Sequence, residues 1–294
     1  MLEAACHSFG LIGHSEKIEG IHGLIERASQ TLAPVLIWGE SGTGKEFIAR
    51  AIHGAGPHKN DPFIKVCCAS FREDLLDHEL YDHAKGIEKS NQGTLFLDEI
   101  ETLSLSSQAK LLAVLKQQKF GIHCRLITSA HQDLEPAVKN KKIREDFYYF
   151  ISIISLNPPP LRERCEDIPL FANYFIERFN QENGRKIKDI TDEAMSCLFY
   201  HLWPGNINEL ENVINRACIL CSTGTLSLEL FQKIDFPPKP VHEKGRLPKA
   251  VAELERHMIK TALRRSGGNQ RQAAQSLGIT ERMLGYKLKR YGYK

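Results

Sequence analysis

Hydrophobic and polar residues follow two different patterns in the first 160 residues of the chain. Five short apolar runs have the length and the β-branched content of buried strands, at residues 35–38, 63–66, 94–97, 125–129 and 151–156. Segments with apolar residues at helical spacing lie between them, at residues 18–28, 45–53, 75–83 and 107–118. Strands that alternate with helices predict an α/β fold, in which a mostly parallel sheet is covered on both faces.

The strand pattern ends after the three prolines at 158–160. Helical spacing then continues through residues 168–183, 191–201 and 207–221, and Thr191 and Ser227 stand where N-cap residues are expected. These residues predict a small helical domain. A proline-rich stretch that begins at residue 237 predicts an extended linker.

The C-terminal residues have the spacing of a helix-turn-helix. Small Ala273 and Ala274 permit close helix packing, Gly278 permits the turn, and Leu284 and Leu288, with Ile279, supply a buried face. A preceding helix at residues 251–266 offers a dimer surface. The side chains that we expect to face bases and phosphates are Arg271, Thr280, Glu281, Arg282, Gly285, Tyr286, Lys287 and Lys289.

The distribution of charge supports DNA binding by this segment alone. The chain has a net charge of +3, but residues 246–294 contain 12 Lys and Arg against 3 Asp and Glu, a net charge of +9. The remaining residues carry a net charge of −6. A basic segment on an acidic body indicates a polyanionic partner, although an ordinary basic helical hairpin with a solvated face would have the same composition.

A glycine-rich turn follows the first predicted strand. Its glycines let successive N–H groups turn toward one anion, the next helix adds its N-terminal partial charge, and Lys45 reaches the outer phosphates. The candidate nucleotide-binding residues are Gly39, Glu40, Ser41, Gly42, Thr43, Gly44, Lys45 and Glu46. The general motif ends in Ser or Thr, which binds Mg²⁺, whereas this chain has Glu46.

Two carboxylates end the third predicted strand. Asp98 is suited to hold Mg²⁺ through water, and Glu99 is suited to polarise the attacking water. The carboxyl ends of parallel strands share one edge of a sheet, so Asp98 and Lys45 should lie near each other. Together the two motifs predict ATP or ADP with Mg²⁺ as ligands.

Composition narrows the classes of protein that are possible. No apolar stretch approaches the roughly 18 residues that a membrane-spanning helix needs, and the first residues lack the pattern of a secretory leader. The eight cysteines have no disulfide-framework spacing, which is typical of a reducing compartment. We therefore expect a cytoplasmic, nucleoid-associated protein with no membrane partner.

These motifs, taken together, resemble the bacterial enhancer-binding proteins, which are AAA+ activators of sigma-54 RNA polymerase with a Fis-type helix-turn-helix. The similarity runs from about residue 11 to 294 and includes the runs 39–46, 93–100, 144–149, 159–164, 166–169 and 203–206. The resemblance implies an AAA+ domain at 1–165, a helical lid at 166–236, a linker at 237–247 and a DNA-binding domain at 248–294. It also implies a hexameric ring with nucleotide between subunits, and Arg144 as a catalytic arginine that reaches a neighbouring subunit.

Two surface elements of that family have no counterpart here. The family has a GAFTGA loop that touches sigma-54, whereas residues 82–86 run directly into 87–93, so that roughly a dozen family residues are missing. A second surface hairpin is missing where residues 119–120 lead into 121–124. We expect a divergent member that lacks both elements.

Four positions near the nucleotide also depart from the family. Phe150 replaces the second arginine, Asn208 replaces the sensor arginine of the lid, Cys67 replaces the asparagine that restrains the catalytic glutamate, and Ala130-His131 replaces the Thr-Asn sensor. Because an arginine finger can contribute about 10³–10⁵ in rate, these changes predict slow hydrolysis. Since Lys45, Asp98 and Glu99 are retained, weak ATPase activity stays open.

Three functions follow from this combination of features. The leading hypothesis is a regulator that binds a palindromic DNA site as a dimer, uses ATP for self-assembly, and represses or co-assembles with intact activators. The second is a working ATPase motor that remodels polymerase through another surface. The third is a nucleoid-type DNA organiser in which the AAA+ domain only oligomerises the DNA-binding segment.

Overall fold

The computed structural model divides the chain into two compact units, residues 1–237 and 238–294. In the first unit the structure describes residues 11–70, 93–117, 124–222, 224–234 and 236. In the second it describes residues 259, 261–263, 266–277, 281, 284–285 and 287–288. The positions where the sequence predicts that the GAFTGA loop and the second hairpin are missing lie outside the described residues.

Strands and helices alternate through the first part of unit one. Its strands are β1 (Val35–Trp38), β2 (Phe63–Cys67), β3 (Gly93–Asp98), β4 (Cys124–Ala130) and β5 (Ile154–Leu156). Its helices are α1 (Glu16–Ser29), α2 (Lys45–Ala55), α3 (Leu105–Gln117), α4 (Glu135–Lys139) and α5 (Glu145–Ile151). Short 3₁₀ turns occupy Cys68–Ser70, Ile100–Thr102, Leu161–Glu163 and Cys165–Asp167.

The five strands form one parallel sheet in the order β2-β3-β4-β1-β5. Successive strand residues point to opposite faces, so Val35 and Ile37 pack with α1 and α2, while Leu36 packs with α3 and α5. Both faces are therefore covered, which explains the nearly continuous apolar strands. The predicted α/β class with a parallel sheet is confirmed.

A buried arginine ties the first helix to this sheet. Arg125 on β4 is 2% exposed, and its guanidinium donates to the carbonyl oxygens of Ala28 and Ser29 at the end of α1. Burial lowers the pKa of Arg125 to about 10. The cation satisfies carbonyls that a helix C-terminus leaves without intrahelical partners.

A helical subdomain completes unit one. It contains α6 (Ile168–Asn183), α7 (Asp192–Tyr200), α8 (Asn206–Leu220) and α9 (Leu228–Lys233), with a two-stranded parallel pair β6 (Asp189–Ile190) and β7 (Thr225–Leu226). Trp203 is fully buried at its centre, and its indole nitrogen donates to the carbonyl oxygen of Leu198 at 2.9 Å. Burying so large a side chain with its polar atom paired stabilises the packing of α7 against α8.

The second unit has a small apolar core. Helix α10 (Gln270–Ser276) begins after Asn269, whose side-chain oxygen accepts hydrogen bonds from the backbone N–H of Arg271 and Gln272 at 3.1 and 3.2 Å. The buried side chains of this core are Ile259, Ala262, Ala273, Ala274, Leu284 and Leu288. The structure thus buries Ala273, Ala274, Leu284 and Leu288 as the pattern predicted, while Ile279 and Gly278 lie outside the described residues.

One local sequence prediction is wrong, and one predicted N-cap residue has its expected position but makes no capping hydrogen bond. Residues 151–156 do not form one strand, because α5 continues to Ile151 and only Ile154–Leu156 pairs with β1. Apolar residues in short runs do not distinguish a helix end from a strand. Ser227 precedes α9, but its side chain makes no capping hydrogen bond, whereas Thr191 accepts one from the N–H of Ala194 at 3.4 Å.

None of the helices that the structure describes is both long enough and apolar enough to cross a bilayer.

Candidate functional site

The loop between β1 and α2 has the backbone shape of a phosphate-binding loop. Gly42 and Gly44 have φ values of +76° and +96°, which favour glycine. The Lys45 ammonium lies under the loop and donates to the carbonyl oxygens of Gly39 at 2.7 Å and Glu40 at 3.0 Å. Burial lowers the pKa of Lys45, although nearby carboxylates oppose this effect. A buried cation at the start of a helix is suited to bind an anion.

The carboxylate of Asp98 lies at the end of β3, beside this loop. The Ser129 hydroxyl at the end of β4 donates to one carboxylate oxygen of Asp98, and the Lys65 ammonium on β2 lies 3.2 Å from the other. The carboxylate charges of Asp98, Glu101 and Glu99 all act on Lys45. The sheet therefore brings Lys45 and Asp98 to the same edge, as their positions after β1 and β3 predicted.

The imidazole ring of His131 lies next to the carboxylate of Glu99. The Nε2 atom of His131 lies 3.5 Å from a carboxylate oxygen of Glu99, and its Nδ1 atom lies 2.8 Å from Glu101. The backbone N–H of His131 also donates to Glu101 at 2.8 Å. Glu99 has a φ of +60°, a strained value for a residue with a side chain. His131 thus lies between two carboxylates, one of which was predicted to orient water.

One buried asparagine joins the helical subdomain to the phosphate loop. The side-chain oxygen of Asn206 accepts from the Leu161 N–H at 2.8 Å, and its amide donates to Ser41 O at 2.9 Å and to the Glu40 carboxylate at 3.2 Å. Arg162 forms a bidentate ion pair with Glu40 at 2.6 and 2.7 Å, which lowers the pKa of Glu40. Asn206 and Arg162 therefore fix the position of the loop, in addition to Lys45 within it.

Backbone contacts complete this junction. The N–H of Ile207 donates to the carbonyl oxygen of Gly42 at 3.0 Å, and a Cβ on Gly42 would lie only 2.3 Å from the carbonyl oxygen of Gly205. The buried guanidinium of Arg164 donates to the carbonyl oxygen of Thr43 at 3.1 Å, and burial lowers its pKa to about 10. A side chain at residue 42 would therefore clash with Gly205, and the positive φ of Gly42 also favours glycine there.

A cavity of about 210 Å³ opens beside the loop within unit one. Its polar lining includes the loop residues Thr43 and Gly44, with Asn208 of α8. Most of the lining is apolar and includes Leu11, Ile12, Phe47 and Ile207. A mostly apolar pocket that ends at a phosphate loop suits a base joined to a phosphate chain.

The structure describes four further positions that the sequence singled out. Arg144 is exposed and forms a bidentate ion pair with Asp146 at 2.9 and 3.0 Å. Phe150 packs beside Lys116, whose ammonium lies 6.0 Å from the ring centre. Cys67 ends β2 in register with Asp98. Asn208, which replaces the family's sensor arginine in the sequence, lines the cavity.

Three family models match the chain in succession. The Sigma-54 interaction domain matches residues 11–157, the AAA+ ATPase lid domain matches 162–244, and the model for bacterial regulatory proteins of the Fis family matches 250–291. The first model alone covers half of the chain. The chain belongs to the sigma-54 enhancer-binding proteins. The predicted family, the lid and the Fis-type helix-turn-helix are confirmed.

Relatives of this enhancer-binding protein match it over most of its length. Regulatory protein AtoC of Escherichia coli (strain K12) is 41% identical over 295 residues, which cover 88% of this chain and 63% of AtoC. Transcriptional regulatory protein ZraR of the same organism is 36% identical over 304 residues, which cover 96% of this chain and 69% of ZraR. The chain thus spans about two thirds of the length of these relatives.

Solved structures of a related protein have the same architecture. NtrX from Brucella abortus in complex with ATP matches with a TM-score of 0.69 and 29% identity, over 96% of this chain and 69% of NtrX. The same protein in complex with ADP matches with a TM-score of 0.71 and 28% identity.

The enhancer-binding protein's predicted DNA-facing residues are only partly described. Arg271 and Glu281 are exposed, and Gly285 and Lys287 are half-buried. Thr280, Arg282, Tyr286 and Lys289 lie outside the described residues.

Sequence reasoning missed the polar residues that engage the loop and the carboxylates. Lys65 and Ser129 carry no motif by themselves, because their roles depend on which strands are neighbours. Arg164 and Asn206 did give a signal, since they end the runs 159–164 and 203–206 on which the resemblance was based. Their contacts with the loop were not predicted.

Proposed function

We propose that this chain is an ATP-binding and DNA-binding transcription regulator in which the nucleotide serves mainly as a ligand for self-assembly. The observation that carries the proposal is the phosphate loop with buried Lys45, next to a largely apolar cavity lined by Thr43 and Gly44. That NtrX, a relative of the same fold, has been solved with ATP and with ADP supports an adenine nucleotide.

The second unit supplies the DNA contacts in this proposal. Its net charge of +9 over residues 246–294 provides the electrostatic attraction to phosphates, and the match to Fis-family regulators supports a helix-turn-helix reader. A dimer on a palindromic site is the arrangement that we propose. A ring of AAA+ domains then forms around bound nucleotide, and the protein is DNA-associated in the cytoplasm.

We infer that the chain does not activate sigma-54 polymerase by itself. The sequence has no residues that correspond to the GAFTGA loop or to the second hairpin. In this proposal, ATP turnover therefore cannot act on sigma-54 through these two elements. Such a regulator would repress, or would co-assemble with intact activators at shared sites. Open-complex formation by this chain alone with sigma-54 holoenzyme would contradict this part of the proposal.

The surroundings of the carboxylates support slow hydrolysis. Glu99 lies next to His131, and Asn208 and Phe150 stand where the family resemblance places arginines. In a conventional site Asp98 would hold Mg²⁺ through water, and the cation would offset phosphate charge. The oxygen donors of Asp98 and Glu46 suit this ion, but Lys65 and other side chains already engage them. The roles of Asp98, Glu99 and Arg144 in catalysis are part of this proposal.

Turnover and particle size should be measured together on the purified chain. We expect adenine nucleotide to bind, to increase the oligomer size, and to be hydrolysed at well below about one turnover per second, since typical enzymes reach about ten. Light scattering with ADP, ATP and a non-hydrolysable analogue reports size, and phosphate release reports turnover. Assembly without any nucleotide, or with turnover above that rate, contradicts the ligand role.

A working ATPase is the second candidate function. It is favoured by the retention of Lys45, Asp98 and Glu99 at one edge of the sheet. The turnover measurement decides between the two, because a motor must complete its cycle at a useful rate.

Arg282→Ala should weaken specific DNA binding by about 1–3 kcal/mol if this residue contacts a base edge, as the helix-turn-helix spacing predicts. Footprinting across a genome gives the measurement, and the wild type should protect a few palindromic sites. Arg185→Ala, at an exposed position of the helical subdomain, removes the same charge elsewhere and is the control. Equal affinity of the two variants contradicts the assignment, and diffuse protection favours a nucleoid organiser.

A further inference from the structure

A lysine lies between the two carboxylates that flank the phosphate loop. The ammonium of Lys65 is 2.7 Å from a carboxylate oxygen of Glu46 and 3.2 Å from one of Asp98. Glu46 is the second residue of α2, directly after Lys45, and Asp98 ends β3. In the general phosphate-loop motif these two positions serve Mg²⁺, through a Ser or Thr hydroxyl and an acidic side chain. In this chain the two residues at these positions, Glu46 and Asp98, both contact the ammonium of Lys65.

The sheet places Lys65 at this point. Strand β2 runs parallel to β3 with Cys67 in register with Asp98, so Lys65 starts two residues earlier on the neighbouring strand. Two strand residues span about 6.6 Å, a distance that an extended lysine side chain covers. The ammonium therefore reaches the end of the sheet, where a bound phosphate chain would lie.

The remaining oxygens of the two carboxylates are also engaged. The second oxygen of Glu46 accepts from Arg50 at 2.8 and 3.0 Å, and the second oxygen of Asp98 accepts from the Ser129 hydroxyl. Each of the four carboxylate oxygens thus has a donor from the protein.

We propose that the Lys65 ammonium acts as a built-in counter-cation for the phosphate site, so that adenine nucleotide binds this chain with little dependence on Mg²⁺. The inference rests on the proposed nucleotide binding and concerns how the site is neutralised. Two carboxylates without a cation would repel the phosphates, and conventional sites use a divalent ion to offset that repulsion. Lys65 offsets it here and competes with the ion for Asp98.

A weaker interpretation is that Lys65 makes only an exposed ion pair. The side chains of Lys65 and Glu46 are 37% and 38% exposed, and such pairs contribute about 0–1 kcal/mol to stability. That interpretation predicts a small effect on folding and no effect on the metal dependence of nucleotide binding. The two interpretations therefore differ in a measurable quantity.

The test measures the affinity of the full chain for ADP, by calorimetry, in EDTA and in Mg²⁺. ADP is used because the result then does not depend on hydrolysis. For the wild type we expect the two dissociation constants to agree within about threefold. For Lys65→Met we expect the binding of ADP in EDTA to weaken by about tenfold or more, because one charge-assisted contact is lost. We expect Mg²⁺ to restore most of the lost affinity.

Matched variants separate charge from structure. Lys65→Arg keeps a cation and should retain metal-independent binding, whereas Lys65→Gln should behave like Lys65→Met. Lys59→Met removes a charge from an exposed turn before β2 and should match the wild type. Thermal unfolding checks that each variant is folded. If Lys65→Met does not fold, Lys65→Gln replaces it in the test.

Mn²⁺ provides a second readout, because its binding to the ADP complex can be followed by electron paramagnetic resonance. We expect Mn²⁺ to bind more tightly to Lys65→Met than to the wild type. An equal Mg²⁺ requirement in the wild type and Lys65→Met overturns the inference and leaves nucleotide binding intact. Failure of the wild type to bind ADP in either condition overturns the proposed function as well.

Discussion

Lys45→Ala is expected to weaken the binding of ATP and ADP by at least about 100-fold, because the variant loses two charge-assisted contacts of about 1.5–3 kcal/mol each. Lys45 is 8% exposed, and its ammonium lies under the loop that would surround the phosphates. The ammonium donates to the carbonyl oxygens of Gly39 and Glu40. We therefore expect a large loss of affinity and only a small change in the stability of the free protein. Calorimetric titration with both nucleotides measures the loss.

Lys59→Ala is the control for this variant, since it removes a lysine from an exposed turn. It should bind nucleotide as the wild type does. Retention of affinity within about fivefold in Lys45→Ala, a difference of roughly 1 kcal/mol, would mean that the phosphates bind elsewhere. The proposal that nucleotide drives assembly also requires that the size increase with ATP disappears in Lys45→Ala.

The phosphate loop could be predicted because its chemistry is local in the sequence. A strand, a turn with three glycines and a lysine that begins a helix follow one another in the sequence. Gly42 and Gly44 do have the positive φ values that such a loop needs. Asp98 was also found from its position at the end of an apolar strand. Local order along the chain was enough for both.

The partners of Asp98 could not be predicted in the same way. They depend on the strand order, which puts β4 between β3 and β1 and puts β2 at the outer edge. Apolar periodicity identifies strands but does not say which of them are neighbours. Ser129 therefore reaches Asp98 from β4, and Lys65 reaches it from β2, although neither residue belongs to a recognised motif. The electrostatic character of the site comes from this non-local arrangement.

The junction between the loop and the helical subdomain was missed for a related reason. Periodicity correctly indicated helices after residue 160, and the tryptophan that organises them lies in a recognisable run. Whether that run contacts the phosphate loop is a question of tertiary packing. Asn206, Gly205 and Ile207 all contact the loop, so the subdomain and the nucleotide site are mechanically connected.

Asn206→Asp is expected to destabilise the first unit by about 2–4 kcal/mol, because it replaces a buried amide donor by a carboxylate oxygen. The amide of Asn206 faces two acceptors, Ser41 O at 2.9 Å and the Glu40 carboxylate at 3.2 Å. The residue is fully buried with a φ of +52°, a value that Asp and Asn both tolerate. The substitution therefore changes polarity at nearly constant shape. Differential scanning calorimetry should show a fall in Tm of roughly 5–15 °C.

Asn183→Asp is the matched control, since the Asn183 amide donates to the carbonyl oxygen of Phe179 at 3.0 Å on an exposed part of α6. It should change Tm by less than about 2 °C, as surface substitutions do. Because the Asn206 contacts reach the loop itself, Asn206→Asp should also reduce the increase in Tm that ADP produces in the wild type. A variant with normal Tm and a normal response to ADP would show that the asparagine does not hold the loop to the helical subdomain, and the mechanical connection would then have to run through the backbone bond from Ile207 to Gly42.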